Sequence, residues 1–456
     1  MSKDFNQFKK EVKNKNVGVM GIGVSNIPLI EMLVSFNANV VAFDKREFTE
    51  LDKRVDSFKD KVKFSLGENY LDESISLDII FKTPGMRYDT PFLVRHLKNG
   101  VKVTSEMEEF LRYCKGYTIG ITGSDGKTTT TTIIGELLKT TGKDVYIGGN
   151  IGKPLFNNVE KIKKDDFVVL ELSSFQLMTM DISPHIAIVT NISPNHLDMH
   201  RDYKEYIGAK KNIFLYQKER DYLIINGDNK ITSSFKKNAK GKVMSFSSEN
   251  NKSDAYLENN TLYLKGEKLI PQDDLRLKGN HNAENFLAAF LSVYGIVSKE
   301  NMIKVGKEFS GVKHRCEFIR EYKGVKYYND SIASSPTRTL ATIKSFNRKV
   351  NIILGGYDKK LDYMPLAKEG YEYIQNIILF GDTSEDIKES FEKIEKKKKV
   401  NIPIYSTKTF EDAISKLISV SEQGDISILS PASASFDMFK NFEERGDKFR
   451  NIINNL

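Results

Sequence analysis

The stretch YTIGITGSDGKTTTTTIIGELLKTTG, Tyr117 to Gly142, is the most informative part of this 456-residue chain. A strand-like apolar run comes first and a helix-like run comes last, and the loop between them, TGSDGKTT from Thr122 to Thr129, is suited to hold phosphate. The glycines let backbone N–H groups converge on an anion, and the N-terminus of the new helix adds the positive end of its dipole. The loop therefore predicts a nucleotide-binding site.

The side chains of this loop predict separate roles. Lys127 supplies a point charge for phosphates, and Thr128 supplies a hydroxyl that can ligate magnesium. The strict pattern GxxxxGK[ST] has glycine where this chain has Ile121, so the loop is a variant whose first glycine comes two places later. An ordinary surface turn is the alternative, but the order of strand, glycines, lysine and helix favours ATP or GTP. The candidate ATP-binding residues of the loop are Gly123, Ser124, Asp125, Gly126, Lys127, Thr128 and Thr129.

Composition disfavours several classes of protein. The net charge is +8, but lysine is spread along the chain, so we expect anionic small molecules rather than nucleic acid as partners. No apolar run approaches the roughly 20 residues that cross a bilayer, and the start MSKDFNQFKKE is too charged for a signal peptide. The two cysteines are far apart and fit a reducing compartment. We expect a cytoplasmic protein without membrane insertion, in which the basic run KIEKKKKV at 393–400 is a solvated loop.

Three groups of alternating strand-like and helix-like runs extend along the chain. They predict an α/β protein of three domains, each with a parallel sheet. The domains are a Rossmann-like domain over residues 1–105, a central P-loop ATPase-like domain over 106–311, and a C-terminal Rossmann-like domain over 312–456. Within the central domain, alternation between Lys240 and Leu277 predicts an antiparallel hairpin.

A second glycine loop lies in VGVMGIGVSNIP, Val17 to Pro28. Asp44 ends the next strand-like run, at the position where dinucleotide-binding sheets carry an acid for a ribose hydroxyl. Asn26 stands where that fingerprint has its third glycine, and we expect this departure to loosen the packing of helix on strand. NAD, another ligand with a pyrophosphate, and a purely structural turn all remain open for this loop.

Candidate catalytic side chains follow other strands of the central group. In FVVLELSSFQL the buried strand-like run ends with Glu171, where an acid can meet the magnesium of a phosphate loop, although a capping or ion-paired glutamate is the alternative. His196 follows IAIVTNISPN, and Lys210 lies in the helix-like KEYIGAKKNIF. A histidine after a strand is more often structural and a helical lysine is usually solvated, so neither residue indicates a role by itself.

Four further polar residues are candidates for contact with a nucleotide. Asn282 and Asn285 lie three apart on the helix-like KGNHNAENFLAA, and their amides could pair with an adenine edge or cap the helix. Arg315 in KHRCEF suits phosphate oxygens, and Asp330 ends a strand-like run in VKYYNDSIASS. Each of these two could instead form a surface ion pair.

The motifs TGSDGKTT, GGNIGKP, LELSSFQL, NHLD, YIGAK, HNAEN, KHRCE, NDS and SPASASFDMFKNFEERG follow one another over nearly the whole chain. In kind and order they resemble those of the Mur ligases, the ATP-dependent amino-acid ligases of bacterial cell-wall synthesis. The resemblance implies a reaction in two steps. A substrate carboxylate takes the γ-phosphate of ATP to give an acyl phosphate, and an amino-acid amine then attacks that carbonyl through a tetrahedral intermediate.

The resemblance also implies roles for matching residues of the first domain. They would hold the uridine and pyrophosphate of a UDP-linked substrate, so the Rossmann-like loop would grip UDP and not NAD. These residues are Val24, Ser25, Asp44, Lys45, Arg46, Thr83, Pro84 and Gly85.

In the central domain the resemblance implies a catalytic set that works with two Mg²⁺ ions. The set is Lys127, Glu171, His196 and Lys210. Thr128 and Glu171 would bind magnesium, Asn150 would support the metal site and the UDP-substrate, and His196 would ligate the second ion and reach that substrate. Lys210 matches the family's carbamylated lysine; the added CO₂ turns a cation into an anionic oxygen ligand for magnesium. The ATP site would be completed by Asn282, Asn285, Arg315 and Asp330.

The last motif, SPASASFDMFKNFEERG, points to the member of the family that adds D-glutamate to UDP-N-acetylmuramoyl-L-alanine. The implied D-glutamate-binding residues are Ser334, Lys359, Ser435, Phe436 and Phe442. Ile332 and Phe436 depart from the proteobacterial pattern, which has lysine and leucine at these positions. One alternative is a sibling ligase that adds L-alanine, a diamino acid or, in folate metabolism, L-glutamate. Two more distant alternatives are an NAD-linked oxidoreductase and a P-loop switch. We expect a monomer.

Overall fold

The computed structural model describes residues 4–23, 25–194 and 199–456. The chain divides into two compact units, Met1–Phe309 and Ser310–Leu456. The described strands form three sheets of five, nine and six strands. The predicted α/β class with parallel sheets is confirmed, and the three sheets lie within the three predicted ranges. The predicted domain boundaries, after residue 105 and after residue 311, both stay predictions. No helix in these described ranges is long and apolar enough to span a membrane.

The first sheet has the strand order β3-β2-β1-β4-β5, and each neighbouring pair is parallel. Val17 and Val19 of β1 are fully buried, as expected for a central strand with helices on both faces. Its strands are β1 (Asn16–Met20), β2 (Asn39–Asp44), β3 (Lys63–Leu66), β4 (Ile79–Phe81) and β5 (Lys102–Thr104). The helices are α1 (Phe5–Val12), α2 (Asn26–Ser35), α3 (Pro91–Lys98) and α4 (Glu106–Tyr113).

The second sheet has the order β14-β13-β12-β11-β10-β9-β6-β8-β7. Among the described strands of this sheet, pairing is antiparallel only at β12–β13 and β13–β14, so the predicted hairpin is present. The strands are β6 (Tyr117–Thr122), β7 (Val145–Gly149), β8 (Phe167–Glu171), β9 (Ile186–Val189), β10 (Tyr222–Asn226), β11 (Lys242–Ser247), β12 (Ala255–Glu258), β13 (Thr261–Leu264) and β14 (Glu267–Pro271). The helices are α5 (Lys127–Lys139), α6 (Ser174–Leu177), α7 (Tyr203–Leu215), α8 (Lys230–Ser234), α9 (Asn280–Ser292) and α10 (Lys299–Glu308).

The third sheet has the order β15-β16-β20-β17-β18-β19, with β15 and β16 antiparallel and the rest parallel. Its strands are β15 (Glu317–Tyr322), β16 (Val325–Asn329), β17 (Val350–Gly355), β18 (Ile374–Phe380), β19 (Ile404–Ser406) and β20 (Ile426–Leu429). The helices are α11 (Pro336–Ser345), α12 (Met364–Gly370), α13 (Ser384–Lys398), α14 (Phe410–Val420) and α15 (Phe442–Asn454). The expected loop at 393–400 is wrong, because α13 continues to Lys398 and its basic last turn complements the helix dipole.

Candidate active site

The phosphate loop joins the C-terminal end of β6 to the start of α5, as predicted. Gly126 caps the helix with φ +79°, a conformation that residues with a Cβ rarely adopt. A Cβ at Gly126 would also overlap the side-chain oxygen of Asn285 on α9. Glycine is therefore required here both by the backbone turn and by the close approach of α9.

The loop is held in place by the segment that follows β9. The backbone N–H of Ser124 donates to the carbonyl of Asn191 at 2.9 Å, and the N–H of Asp125 donates to the side-chain oxygen of Asn191 at 2.9 Å. The Ser124 hydroxyl also donates to the carbonyl of Ser193 at 2.9 Å. Asn191 was missed by the sequence analysis, because its position on an adjacent strand end becomes clear only from the strand order.

Two predicted catalytic lysines converge on this loop. Lys127 Nζ donates to the carbonyl oxygens of Gly123 (3.0 Å) and Ser124 (2.9 Å). Lys210 Nζ, from α7, donates to the same Gly123 oxygen at 2.8 Å and to Thr122 Oγ1 at 3.2 Å. Burial of Lys210, together with the charge of Lys127, lowers the pKa of Lys210 to about 7. The neutral amine of Lys210 is thus favoured more than that of an ordinary lysine.

Glu171 lies beside the loop at the end of β8. Its Oε2 accepts a hydrogen bond from Thr128 Oγ1 at 2.7 Å, and its Oε1 accepts one from Asn150 Nδ2 at 2.8 Å. Three residues predicted for the metal site and its support are therefore in contact. Carboxylate and hydroxyl oxygens are the hard ligands that Mg²⁺ prefers, so this donor set fits the ion. The predicted ligand His196 lies outside the described residues.

A pocket of about 280 Å³ opens between the phosphate loop and α9. Asn282 and Asn285 both line it, together with Thr129 and Phe246. Asn285 Oδ1 accepts from Thr130 Oγ1 at 3.2 Å, which fixes the orientation of the amide. A pocket that is lined by amide groups and adjoins a phosphate loop can accept a nucleobase.

The first glycine loop is organised by Asp44. Its Oδ2 accepts from the backbone N–H of Ile22 at 2.7 Å, and Arg46 donates to both carboxylate oxygens at 2.9 and 2.7 Å. Burial opposes ionisation, but the hydrogen bonds from Arg46 and Ile22 lower the pKa of Asp44 to about 2. Because these partners occupy the carboxylate, it is poorly placed to accept the ribose hydroxyls of NAD.

The expected loosening of α2 on β1 by Asn26 is wrong. Asn26 is buried, and its Nδ2 donates to the carbonyl oxygens of Met20 (3.0 Å) and Gly21 (2.8 Å). The amide therefore ties the start of α2 to the end of β1, which a glycine could not do. Ser25 and Lys45 are exposed near this loop, while the predicted Val24 lies outside the described residues.

The loop Thr83–Gly85 follows β4 and approaches the first glycine loop, because a Cβ on Gly21 would lie 3.4 Å from Thr83. Pro84 and Gly85 are exposed, whereas the preceding residue, Lys82, is buried. Among the described residues, Lys82 Nζ makes long hydrogen bonds of 3.4 Å to the carbonyls of Thr83 and Met86. Burial lowers the pKa of Lys82 to about 8, an effect that the sequence did not reveal.

The second unit carries the remaining candidates. Asp330 follows β16, and its carboxylate accepts from the N–H of Cys316 at 3.0 Å and from Ser430 Oγ at 2.8 Å. Burial raises the pKa of Asp330, while hydrogen bonds and the charge of Arg315 act in the opposite direction. Arg315 itself is exposed.

The residues predicted for D-glutamate lie on loops of this unit, except Phe442, which begins α15. Lys359 Nζ is 5.3 Å from the centre of the Phe436 ring, and Phe436 is 58% exposed. The loops carrying these residues are joined where the N–H of Tyr357 donates to the carbonyl of Ala434 at 3.0 Å. Ser435 is buried and Ser334 and Phe442 are half-buried. Ile332 is also half-buried, and nothing in the structure explains its departure from lysine.

The sheets and the phosphate loop define a protein of the α/β nucleotide-binding class. Two family models match the chain, the Mur ligase middle domain over residues 121–293 and the Mur ligase glutamate ligase domain over 314–433. The chain belongs to the Mur ligase family. It is 56% identical to the UDP-N-acetylmuramoylalanine–D-glutamate ligase of Clostridium perfringens and 54% identical to that of Clostridium novyi, with 100% of each chain covered.

Solved structures agree on the fold. UDP-N-acetylmuramate-alanine ligase MurC of Thermotoga maritima superposes with a TM-score of 0.54 at 17% identity, covering 97% of this chain and 99% of that one. MurF ligase of the same organism, solved in complex with ADP, gives a TM-score of 0.51 at 18% identity, covering 98% and 97%. At such identities the likeness concerns the fold alone.

Proposed function

We propose that this protein is an ATP-dependent ligase that joins D-glutamate to UDP-N-acetylmuramoyl-L-alanine. The observation that carries the proposal is the convergence of Lys127 and Lys210 on the phosphate loop beside the Thr128–Glu171 pair. The names of the relatives at more than half identity support the choice of substrates. The ligases to which those names belong act on UDP-N-acetylmuramoylalanine and D-glutamate.

The reaction runs in two balanced steps. An oxygen of the substrate carboxylate attacks the γ-phosphorus of ATP, the bond from that phosphorus to the β,γ-bridging oxygen breaks, and ADP leaves. The D-glutamate amine then attacks the carbonyl carbon of the acyl phosphate, loses a proton, and expels inorganic phosphate from the tetrahedral intermediate. Activation is needed because the oxygen of a free carboxylate is a poor leaving group.

Lys127 would leave its carbonyl partners and neutralise charge on the transferring phosphoryl group. Thr128 and Glu171, with His196 and a carbamylated Lys210, would hold two magnesium ions, supported by Asn150. The ions would supply a Lewis acid that stabilises negative charge on phosphoryl oxygens. Carbamylation of Lys210 is supported by its low pKa, since only the neutral amine attacks CO₂. The pocket lined by Asn282 and Asn285 would receive adenine.

The first sheet would bind the UDP moiety. Arg46, held by Asp44, would present its guanidinium to uracil or pyrophosphate, with Ser25, Lys45 and the Thr83–Gly85 loop as further contacts. In the second unit Lys359 would bind a carboxylate of D-glutamate, with Ser334, Ser435, Phe436 and Phe442 around it. Arg315 and Asp330 would contact ATP. The occupied carboxylate of Asp44 disfavours the NAD-linked alternative, and a P-loop switch would leave the UDP-binding and amino-acid residues without a use.

Phosphate release from ATP tests the proposal. It would be measured with UDP-N-acetylmuramoyl-L-alanine and a panel of D- and L-amino acids. We expect release only when both the UDP-substrate and D-glutamate are present. A preference for L-lysine, diaminopimelate or L-glutamate would overturn the acceptor but keep the reaction class. Equal phosphate release across the panel, or release without the UDP-substrate, would contradict a ligase.

A further inference from the structure

Arg445 on α15 is fully buried, which is rare for a charged side chain. Its guanidinium makes four hydrogen bonds. Nε donates to Ser331 Oγ at 3.0 Å and one Nη2 bond reaches the Ser331 carbonyl at 2.9 Å. Nη1 donates to the carbonyl of Ala434 at 2.9 Å, and the second Nη2 bond reaches the carbonyl of Ser433 at 3.1 Å. One side chain thus ties α15 to the loops that follow β16 and β20.

The loop after β20 has an unfavourable backbone conformation next to these bonds. Ala432 is buried and has φ +57°, in the left-handed region that residues with a Cβ seldom occupy. Such a conformation persists only where the surrounding contacts enforce it, and it is often found at functional sites. Two of the three carbonyls bound by Arg445 belong to the next two residues, Ser433 and Ala434, so the guanidinium is placed to enforce this conformation.

The same contacts reach the candidate D-glutamate residues. Ser331 Oγ, which accepts from Arg445, donates in turn to the carbonyl of Phe442 at 2.8 Å. The carbonyl of Ala434, which precedes Ser435, accepts from both Arg445 and the N–H of Tyr357. The guanidinium therefore connects three chain segments that carry Ser334, Ser435 and Phe442. Because Tyr357 shares the Ala434 carbonyl with Arg445, the loop of Lys359 is linked to the same set of contacts.

We propose that Arg445 is a positioning residue that fixes these loops in the geometry that binds the amino-acid substrate. The inference rests on the proposed function, because it presumes that the loops bind an amino acid. A lysine cannot replace the arginine. Its single ammonium group cannot reach the acceptors of both loops at once, whereas the planar guanidinium donates in several directions. Arg445 acts through the loops and does not itself contact the substrate.

The test compares KM values for D-glutamate, ATP and the UDP-substrate in the parent and in Ser331→Ala, Arg445→Lys and Arg450→Met. Ser331→Ala removes only the hydroxyl between Arg445 and Phe442, so it decides the matter even if Arg445→Lys does not fold. We expect Ser331→Ala to raise KM for D-glutamate about fivefold to tenfold. KM for the other two substrates should stay within about twofold of the parent, and saturating D-glutamate should restore kcat.

Arg450→Met is the matched control. Arg450 lies on the same helix but pairs with Glu317 at 2.6 Å, so its loss should lower the thermal midpoint and leave KM for D-glutamate unchanged. An unchanged KM for D-glutamate in Ser331→Ala, or an equal rise in all three KM values, would overturn the inference. If the parent prefers another amino acid, the proposed acceptor is wrong, and the same comparison is made with the preferred one. Phosphate release by the parent without any amino acid overturns both proposals.

Discussion

Lys127 and Lys210 donate hydrogen bonds to one and the same acceptor, the carbonyl oxygen of Gly123, at 3.0 and 2.8 Å. They come from different elements, the start of α5 and the middle of α7. Burial and the repulsion between the two ammonium groups both act against the charged form of Lys210. An anion between the two ammonium groups, such as the γ-phosphate of ATP, would relieve this repulsion. Carbamylation would make Lys210 anionic, so that Lys127 and Lys210 would attract each other.

Replacement of Lys127 by alanine should nearly abolish ligase turnover. A donor aimed at charge that develops in the transition state contributes about 3 kcal/mol, so we expect kcat to fall at least about a hundredfold. Lys139→Ala is the control, because Lys139 lies at the other end of α5 and pairs with Glu136 on the surface. Phosphate release is the measurement. The assignment is wrong if Lys127→Ala stays within about tenfold of the parent.

Carbamylation of Lys210 predicts a dependence of activity on dissolved CO₂. Exhaustive dialysis in CO₂-free buffer should lower kcat, and bicarbonate should restore it. With ¹³C-labelled bicarbonate, NMR should show a carbamate carbon in the parent and none in Lys210→Arg, whose guanidinium remains protonated. Lys211→Arg, at the adjacent and partly exposed lysine, should retain both the signal and the activity. An equal carbamate signal in Lys210→Arg and the parent would contradict the assignment.

The sequence predicted those parts of the site that depend on local chain geometry. The phosphate loop needs glycine at position 126 because of its own backbone angle, and the strand before it and helix after it have clear hydrophobic periodicity. The contact of Thr128 with Glu171 could also be anticipated, because the carboxyl ends of parallel strands meet at one edge of a sheet.

The parts that escaped prediction depend on contacts between distant segments. Arg445 looks like any charged residue of an exposed helix, and only the packing of α15 against two loops shows that it is buried. The fingerprint treats Asn26 only as a missing glycine, whereas its amide donates to two carbonyls at the end of β1. The basic run at 393–400 lies between two apolar stretches, which favours a solvated loop, whereas α13 continues through it to Lys398.

Lys82 predicts a pH dependence of stability. Its pKa is about 8 in the folded protein and 10.5 as the ordinary value, so the unfolded chain binds more protons between these values and stability rises with pH there. Lys82→Met should therefore raise the free energy of unfolding at pH 7 by about 3 kcal/mol, a gain that falls as the pH rises from about 8 to 10.5 and is absent above that range. Thermal midpoints across this pH range measure it. Lys15→Met, which removes a lysine from a surface ion pair with Asp78, should give no such gain at pH 7, and a pH-independent gain in Lys82→Met would contradict the explanation.

Asp44→Asn should weaken binding of the UDP-substrate. The change removes the charge that holds Arg46, and a hydrogen bond to a charged group contributes about 1.5–3 kcal/mol, so KM for this substrate should rise roughly tenfold or more. Asp52→Asn is the matched control, because Asp52 pairs with Arg54 at the same sequence spacing but on the surface. A similar rise in both variants would mean that the effect is not specific to the site.

The same carboxylate predicts a loss of stability in acid. The pKa of Asp44 is about 2 in the folded protein, against an ordinary value of 3.8. Its contribution is therefore fully present above pH 3.8 and is lost as the pH falls towards 2. Asp44→Asn should be less stable than the parent at neutral pH, and the difference should narrow in this acidic range. A constant difference in unfolding midpoint would contradict the shift.

Phe436→Leu tests whether the aromatic ring orients Lys359 for the amino acid. The ring lies 5.3 Å from Lys359 Nζ, and a cation–π contact at an exposed site contributes about 0.5–1 kcal/mol, so KM for D-glutamate should rise about twofold to fivefold with kcat unchanged. Phe436→Tyr keeps the ring and should keep the parent KM. In a Lys359→Met background the Phe436→Leu change should have no further effect, because the cation that the ring orients is gone. If Phe436→Leu raises KM equally in both backgrounds, the ring contacts the substrate directly and does not act through Lys359.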